Sequence, residues 1–326
     1  MSVTAIILAA GKSTRMKSRL PKPLHELSGR PMLQWILDAC YDAGVTRVLL
    51  VVGFGKDKII ARFGSDRRIT FVEQTEQLGT GHAVKVCAPH LRGSTGQTFI
   101  LCADTPLVRG ESLRTLLEAH RSERVSMTLG TAVIDDPTGY GRIVRDASGE
   151  FVAIVEQQDC TPEQASIREV NPSFYVAETD PLLDAVGKLK NENRKREYYL
   201  TDVPGILRAE GKRVAVIQAL SAEDIAAPNT RQQLAEAELI MQDRIHRRLR
   251  DAGVTIVSSA NTYIEAGVTV GPETLIHPFT FIGRDASIGA DCTIGPFASL
   301  PRESIVPDGT TLAGNISPDS TLVERD

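Results

Sequence analysis

The sequence predicts an α/β protein in three stretches: a mostly parallel sheet covered by helices over residues 1–228, a connecting helix over 229–252, and a short parallel β-helix over 253–326. Three observations carry this. Apolar strand-like runs alternate with amphipathic stretches to about residue 225, one long amphipathic pattern follows, and from Ile264 an aliphatic residue returns at every sixth position.

The strand runs are Val3 to Leu8, Arg47 to Val52, Ile69 to Val72, Thr98 to Cys102 and Ser126 to Val133. They are nearly continuous in apolar residues, the pattern of strands buried on both faces of a parallel sheet. Between the first two, Pro31 stands where a first helical turn accepts it, Met32, Leu33, Ile36, Leu37 and Cys40 recur at helical spacing, and Gly44 ends the run. That makes one β-α-β unit. In such a Rossmann-like sheet ligands bind beyond the carboxyl ends of the strands, which directs attention to the loops after Leu8 and Cys102.

From Asn229 to Arg250, the residues Leu234, Ala237, Met241, Ile245 and Leu249 share one face, and Gly253 closes the helix. Beyond it Ile264, Val270, Ile276, Ile282, Ile288, Ile294, Leu300, Val306 and Leu312 mark nine hexads without a gap. Four places after each aliphatic stands Val268, Thr274, Thr280, Ala286, Cys292, Ala298, Ser304, Thr310 or Ile316, mostly small, and Gly271, Gly283, Gly289 and Gly295 directly follow the aliphatic. Each aliphatic is expected to point into a narrow prism with the small residue at its corner, and three hexads per turn give about three coils. Pro301, Pro307 and Pro318 gather as the Gly pattern fades, and the hexads stop near Ser317, which reads as a closing cap.

With 326 residues, 42% hydrophobic and 24% charged, the chain holds material for about two cores, and disordered or collagen-like folds are excluded. Lys and Arg number 37 against 41 Asp and Glu, a net charge of −4, so no general field holds a nucleic acid. Five scattered cysteines (Cys40, Cys87, Cys102, Cys160, Cys292), never spaced CxxC, argue against a disulfide framework or a structural zinc, and a reducing cytoplasm is the natural setting. The apolar stretch Ala5 to Ala10 is too short for a signal segment or a membrane helix.

Against this acidic background stands LAAGKSTRMKSRLPK, residues 8–22, with Lys12, Arg15, Lys17, Arg19 and Lys22 directly after the first strand. Solvated loop charges are the plain reading. Position favours more: Gly11 lets backbone approach a ligand at the carboxyl end of strand one, where amides and cations meet a nucleoside triphosphate. The loop is not a Walker A motif, which needs Gly five residues before Gly11, where Ile6 stands.

LAAGKSTRM followed by LPKPLHELSGRPML resembles the signature of sugar-1-phosphate nucleotidyltransferases. EQLGTGHA (76–83), DDPTGYGRI (135–143), IVEQQD (154–159), EYYLTD (197–202) and the trailing hexads are most similar to the uridyltransferase half of the bacterial bifunctional N-acetylglucosamine-1-phosphate uridyltransferase/glucosamine-1-phosphate acetyltransferase family. The resemblance covers almost the whole chain. It implies a left-handed β-helix and transfer of uridylyl from UTP to N-acetylglucosamine-1-phosphate, giving the cell-wall precursor UDP-N-acetylglucosamine and pyrophosphate. It also implies Mg2+ as cofactor and a homo-oligomer, in the family a trimer.

Carried over residue by residue, the family pattern puts Leu8, Ala9, Ala10 and Gly11 around the nucleotide, with Gln74, Gly79 and Thr80 at the uracil. Arg15 and Lys22 match the two cations of the triphosphate, Asp104 the magnesium aspartate and Asn229 its distant co-ligand, while Gly141, Glu156 and Asn171 match residues that hold the sugar. Each has a plainer reading: Asp104 as a turn cap, Asn229 as a helix N-cap, Gln74 and Glu156 as solvated polar groups, Gly141 as a hairpin glycine. His25 and His82 read as structural. Two departures fall near the expected sugar pocket: Cys102-Ala103 where the family has Tyr-Gly, and Asn171-Pro172-Ser173 where it has Asn-Thr-Gly.

The alternatives are a nucleotidyltransferase for another sugar-1-phosphate, such as glucose-1-phosphate, and a catalytically silent regulatory subunit that binds sugar nucleotides. Acetyl transfer is not expected. The family performs it on a longer β-helix with a histidine base, and only His246 and His277 follow residue 230.

Overall fold

The structure, a computed structural model, describes residues 2–193 and 195–314. The chain forms two compact units: one takes residues up to His25 and Met32–Thr230, the other Glu26–Pro31 and the chain from Arg231. In the first unit seven strands lie in the order Val214–Ile217, Met127–Val133, Glu169–Glu178, Gly96–Cys102, Ser2–Ala9, Arg47–Val52 and Ile69–Glu73. A hairpin of Gly141–Arg145 and Phe151–Val155 adds to Glu169–Glu178.

The strand Ser2–Ala9 is parallel to both neighbours, and Leu8 lies in register with Val51 and Cys102. It is covered on both sides. Val3, Ala5 and Ile7 share a buried cluster with Leu33, Ile36, Leu37 and Cys40 of the helix Met32–Asp42, while Ile6 belongs to the opposite cluster with Val84, Leu182 and Val186. Its sequence is therefore apolar without alternation. Ile6 and Ile7 are both 0% exposed, and burying side chains of this size stabilises the fold by about 1.5–3 kcal/mol each.

The sheet departs from the expected parallel pattern at one long strand. Glu169–Glu178 runs antiparallel to both Gly96–Cys102 and Met127–Val133. Its apolar run is interrupted by Asn171-Pro172-Ser173, where the register slips between Val170 and Phe174 and Ser173 takes a left-handed φ of 65°.

In the second unit the helix Arg231–Asp251 buries Ala237, Met241, Ile245 and Leu249 at helical spacing. Gln242 sits on the same face and treats the first coil as a strand partner: its amide nitrogen donates to the carbonyl of Ile264 at 2.8 Å, and its oxygen accepts from the Ile264 N–H at 3.0 Å. Three parallel sheets follow, and Ile276, Ile282 and Ile288 pair with Ile294, Leu300 and Val306, each 18 positions on. These coils make a short left-handed parallel β-helix, with three hexads per turn. All nine aliphatics from Ile264 to Leu312 are buried. Gly271 is required by the stacking, since a Cβ there would lie 2.4 Å from the Ala290 nitrogen of the next coil. The expected closing positions Ile316, Ser317 and Pro318 lie outside the described residues. Among the described residues no helix is long and apolar enough to cross a membrane.

Candidate active site

Because Leu8 and Cys102 end in register on adjacent strands, the loops that follow them open together onto one cleft of about 430 Å³ in the first unit. Leu8, Ala9, Ala10 and Gly11 line it, as do Gln74, Gly79, Thr80, Lys22, Asp104 and Glu156. A Cβ added at Gly11 would meet no protein atom within 4 Å, so the open space there belongs to the cleft and not to packing.

Lys22 is only 5% exposed, unusual for a lysine, and its Nζ donates to Asp104 Oδ2 at 2.7 Å and to Asn229 Oδ1 at 2.9 Å. Residues from three distant stretches thus converge on one ammonium. The Asn229 amide nitrogen donates to the carbonyl of Ala227 at 2.9 Å, which leaves the oxygen turned toward Lys22. A carboxylate and an amide oxygen that already share one cation form a hard donor pair, suited to Mg2+, Ca2+ or Mn2+ and not to zinc. Among the described residues no group of three or more His, Cys, Asp or Glu is placed to hold a metal, so an ion held by this pair would need further ligands from outside these two side chains.

Gln74 is buried, and its amide nitrogen donates to the carbonyl of Gly79 at 3.1 Å and faces His82 Nδ1 at 3.1 Å. Its oxygen is the atom left for a ligand. Gly79 has a φ of 103°, and a Cβ there would lie 2.6 Å from the carbonyl oxygen of Tyr198. Only glycine fits this turn. Thr80 Oγ1 accepts from the Leu200 N–H at 3.2 Å, and the Tyr198 N–H donates to the Leu78 carbonyl at 2.8 Å, so EQLGTGHA is tied to EYYLTD.

The basic loop divides. Met16, 1% exposed, anchors it, while Ser13 and Lys17 adopt left-handed φ values of 46° and 47°. Arg15 is exposed on the short turn Thr14–Met16 and does not line the cleft; Lys12, Lys17 and Arg19 are exposed as well.

Glu156 accepts from Thr201 Oγ1 at 3.1 Å, and burial pushes its carboxyl above the usual range. Gly141 and Asn171 do not line the cleft. They pair with each other across the ladder, and because Arg142 pairs with Val155, Gly141 stands opposite Glu156. Asn171 is buried and donates to the Tyr175 hydroxyl at 2.7 Å. The two departures from the family pattern meet here: the Cys102 thiol, pushed up to about 12 by burial and by Asp104, touches the Ser173 hydroxyl.

Sequence reasoning missed several residues at the cleft. Gln158, Lys195, Glu197 and Tyr199 line it, and only their membership of IVEQQD and EYYLTD or nearness to it signalled them. Arg142 is almost fully buried and donates to Gln157 Oε1 at 2.7 Å, fixing the turn that follows Glu156. Asp224, 0% exposed, accepts from Arg109 Nε at 2.9 Å and from its terminal nitrogen at 2.9 Å, joining the segments that carry Asp104 and Asn229.

Residues 5–196 match the MobA-like NTP transferase domain family. The bifunctional protein GlmU of Pelobacter propionicus is 46% identical over 85% of this chain and 60% of its own length. That of a Geobacillus species is 42% identical over 98% of this chain and 69% of its own. The chain spans about 60% of the length of the first of these relatives. A solved Bacillus anthracis structure, assigned as a glucose-1-phosphate thymidylyltransferase with a bound sucrose, superposes with a TM-score of 0.63 at 17% identity, covering 74% of this chain and 96% of that one, a likeness of fold. The chain belongs to the GlmU family, and its first unit carries a MobA-like NTP transferase domain.

Proposed function

We propose that the chain transfers uridylyl from UTP to N-acetylglucosamine-1-phosphate, releasing pyrophosphate. Residues 1–228 do the chemistry, 229–252 connect, and 253–326 form the short β-helix, in a homo-oligomer for which the family's trimer is the expectation. The observation that carries this reading is the convergence of Asp104 and Asn229 on Lys22, at a cleft lined by Lys22, Asp104, Gln74 and Glu156. The assay that tests it is pyrophosphate release with each of four nucleoside triphosphates against a panel of sugar-1-phosphates. Preference for glucose-1-phosphate would select the first alternative, and no turnover with any pair would select the silent regulatory subunit.

In the proposed reaction a phosphate oxygen of the sugar-1-phosphate bonds to the α-phosphorus of UTP as the bond to the β-phosphate oxygen breaks, and pyrophosphate leaves with the electron pair. Asp104 and Asn229 would hold Mg2+, which would supply neutralisation of phosphate charge. Lys22 and Arg15 stabilise the charge that gathers on pyrophosphate. The backbone from Leu8 to Gly11 lets the nucleotide come close, and Gln74 Oε1 accepts from the imide N–H of uracil, with Gly79 and Thr80 shaping the base pocket. Glu156 accepts from a sugar hydroxyl, and Gly141 and Asn171 support the strand edge behind it. No imidazole is needed. Residues 253–314 include one histidine, His277, so the reading assigns this stretch no acetyl transfer. Turnover of glucosamine-1-phosphate with acetyl-coenzyme A, at a rate comparable to uridylyl transfer, would overturn that part.

A further inference from the structure

We infer that Lys22 is a built-in stand-in for the divalent ion. Its ammonium closes the site while the cleft is empty and must leave before an ion can enter. The inference rests on the metal reading of Asp104 and Asn229 given above, and deepens it.

Lys22 Nζ lies within hydrogen-bond reach of both proposed ligand oxygens, 2.7 Å and 2.9 Å away. It stands between them, where an ion shared by the two oxygens would have to stand. Mg2+ needs contacts near ~2.0–2.1 Å, so ammonium and ion cannot occupy that position together. The bonds also explain how a carboxylate at the end of one strand and an amide far along the chain stay apposed without metal, since two half-buried oxygens facing each other with no cation between would repel.

Exchange changes the local charge. Asp104 and Lys22 together are neutral, whereas Asp104, a divalent ion and a displaced Lys22 carry a net charge of +2. An ion alone is therefore poorly held, and an arriving polyphosphate both draws Lys22 off and cancels the excess. The same side chain that guards the ion site then becomes the phosphate ligand. By linkage, nucleotide and ion must tighten one another's binding.

The test is Mn2+ binding to the full, metal-stripped chain without nucleotide, followed by the electron-resonance signal of free Mn2+. Lys22→Met should bind Mn2+ about tenfold or more tightly than the unmodified chain, because the competitor is gone, and the double variant Lys22→Met with Asp104→Asn should lose that gain. Binding by Lys22→Met no tighter than by the unmodified chain overturns the stand-in role and leaves the metal reading intact. A gain that survives in the double variant places the ion elsewhere and overturns both. Because removal of a buried cation can impair folding, a second measurement uses the unmodified chain with [ζ-15N]lysine. The Lys22 ammonium resonance, assigned with Lys22→Arg, should shift as Mg2+ and an unreactive UTP analogue saturate the site, and an unchanged resonance at saturation overturns the proposal.

Discussion

Asp224→Asn gives the sharpest test of how the cleft is held together. The Asp224 carboxylate accepts from Arg109 N (3.2 Å), Arg109 Nε (2.9 Å) and the Arg109 terminal nitrogen (2.9 Å), and also from Ser112 Oγ (3.0 Å), Ser221 N (2.9 Å) and Ser221 Oγ (2.9 Å). The amide keeps the shape, loses the charge and turns a donor toward donors. Breaking a buried pair costs about 3–5 kcal/mol, and the low end, about 3 kcal/mol, applies because Arg109 is 47% exposed and can rehydrate. That lowers the melting temperature of the first unit by roughly 6–12 °C. The single tryptophan, Trp35, lies in the helix Met32–Asp42 of this unit, so its fluorescence reports the transition.

The effect should depend on pH with a definite sign. Burial alone raises the Asp224 carboxyl, but hydrogen bonds from Arg109 and Ser221 outweigh it and hold the group below the usual range. Its stabilisation is therefore fully present above the unfolded value of about 3.9 and is lost as pH falls through the folded one, so the gap between the two proteins narrows in acid. Asp104 stands five positions before Arg109 and Asn229 five after Asp224, so the variant should also need more Mg2+ for half-maximal turnover. A stability loss below about 1 kcal/mol with unchanged Mg2+ dependence would refute the reasoning.

Asp104→Asn should cut turnover by roughly 10² to 10⁴ with folding intact, and near-normal turnover at limiting Mg2+ would remove it from the ion site. Arg15→Ala should lower kcat by about 10² while Lys17→Ala changes little, although both side chains are exposed; equal effects would reduce the loop to a diffuse attractor. Gly79→Ala, forced toward the Tyr198 carbonyl at a positive φ, should lower kcat/KM for the nucleotide about tenfold or more in steady-state assays. Ile294→Ala, in a side chain 0% exposed, should destabilise the coils by about 2–5 kcal/mol, seen as faster amide exchange across residues 280–312.

The parts of the fold that follow a simple periodicity were legible. Ile6 and Ile7 announce a strand covered on both faces, and the hexad aliphatics announce their prism because no other arrangement buries one residue in six. The strand Glu169–Glu178 was not, because Asn171, a proline and a left-handed Ser173 interrupt its apolar run. At the cleft, position after strands one and four of the early runs pointed to Gly11 and Asp104. Lys22 was marked only as one of five cations in the basic loop, and its selection, like that of Asn229 and Gln74, came with the family likeness, since the contacts these residues make depend on long-range packing that no local pattern encodes. The Arg109–Asp224 pair gave no signal at all: a lone aspartate and a lone arginine 115 positions apart look like surface charges until the fold buries one of them.

The 18-residue coil turns the last part of the sequence into a lattice of columns. Phe279 stacks on Phe297 with ring centroids 5.2 Å apart, and Tyr263 on Phe281 at 5.8 Å, because each pair shares a place one coil apart. A single inserted residue inside a coil would move every later side chain one place along its row and turn buried aliphatics outward. The lattice therefore admits extra length only at corners. One such place is visible: Ile256 pairs with Ile276, 20 positions on, whereas Ile264 pairs with Ile282, 18 on. The two surplus residues are taken up around the short turn Ser259–Asn261, before the rows begin to count strictly. Insertions of a residue or two should be tolerated there, and should abolish folding of the coils when placed between Ile282 and Ile294.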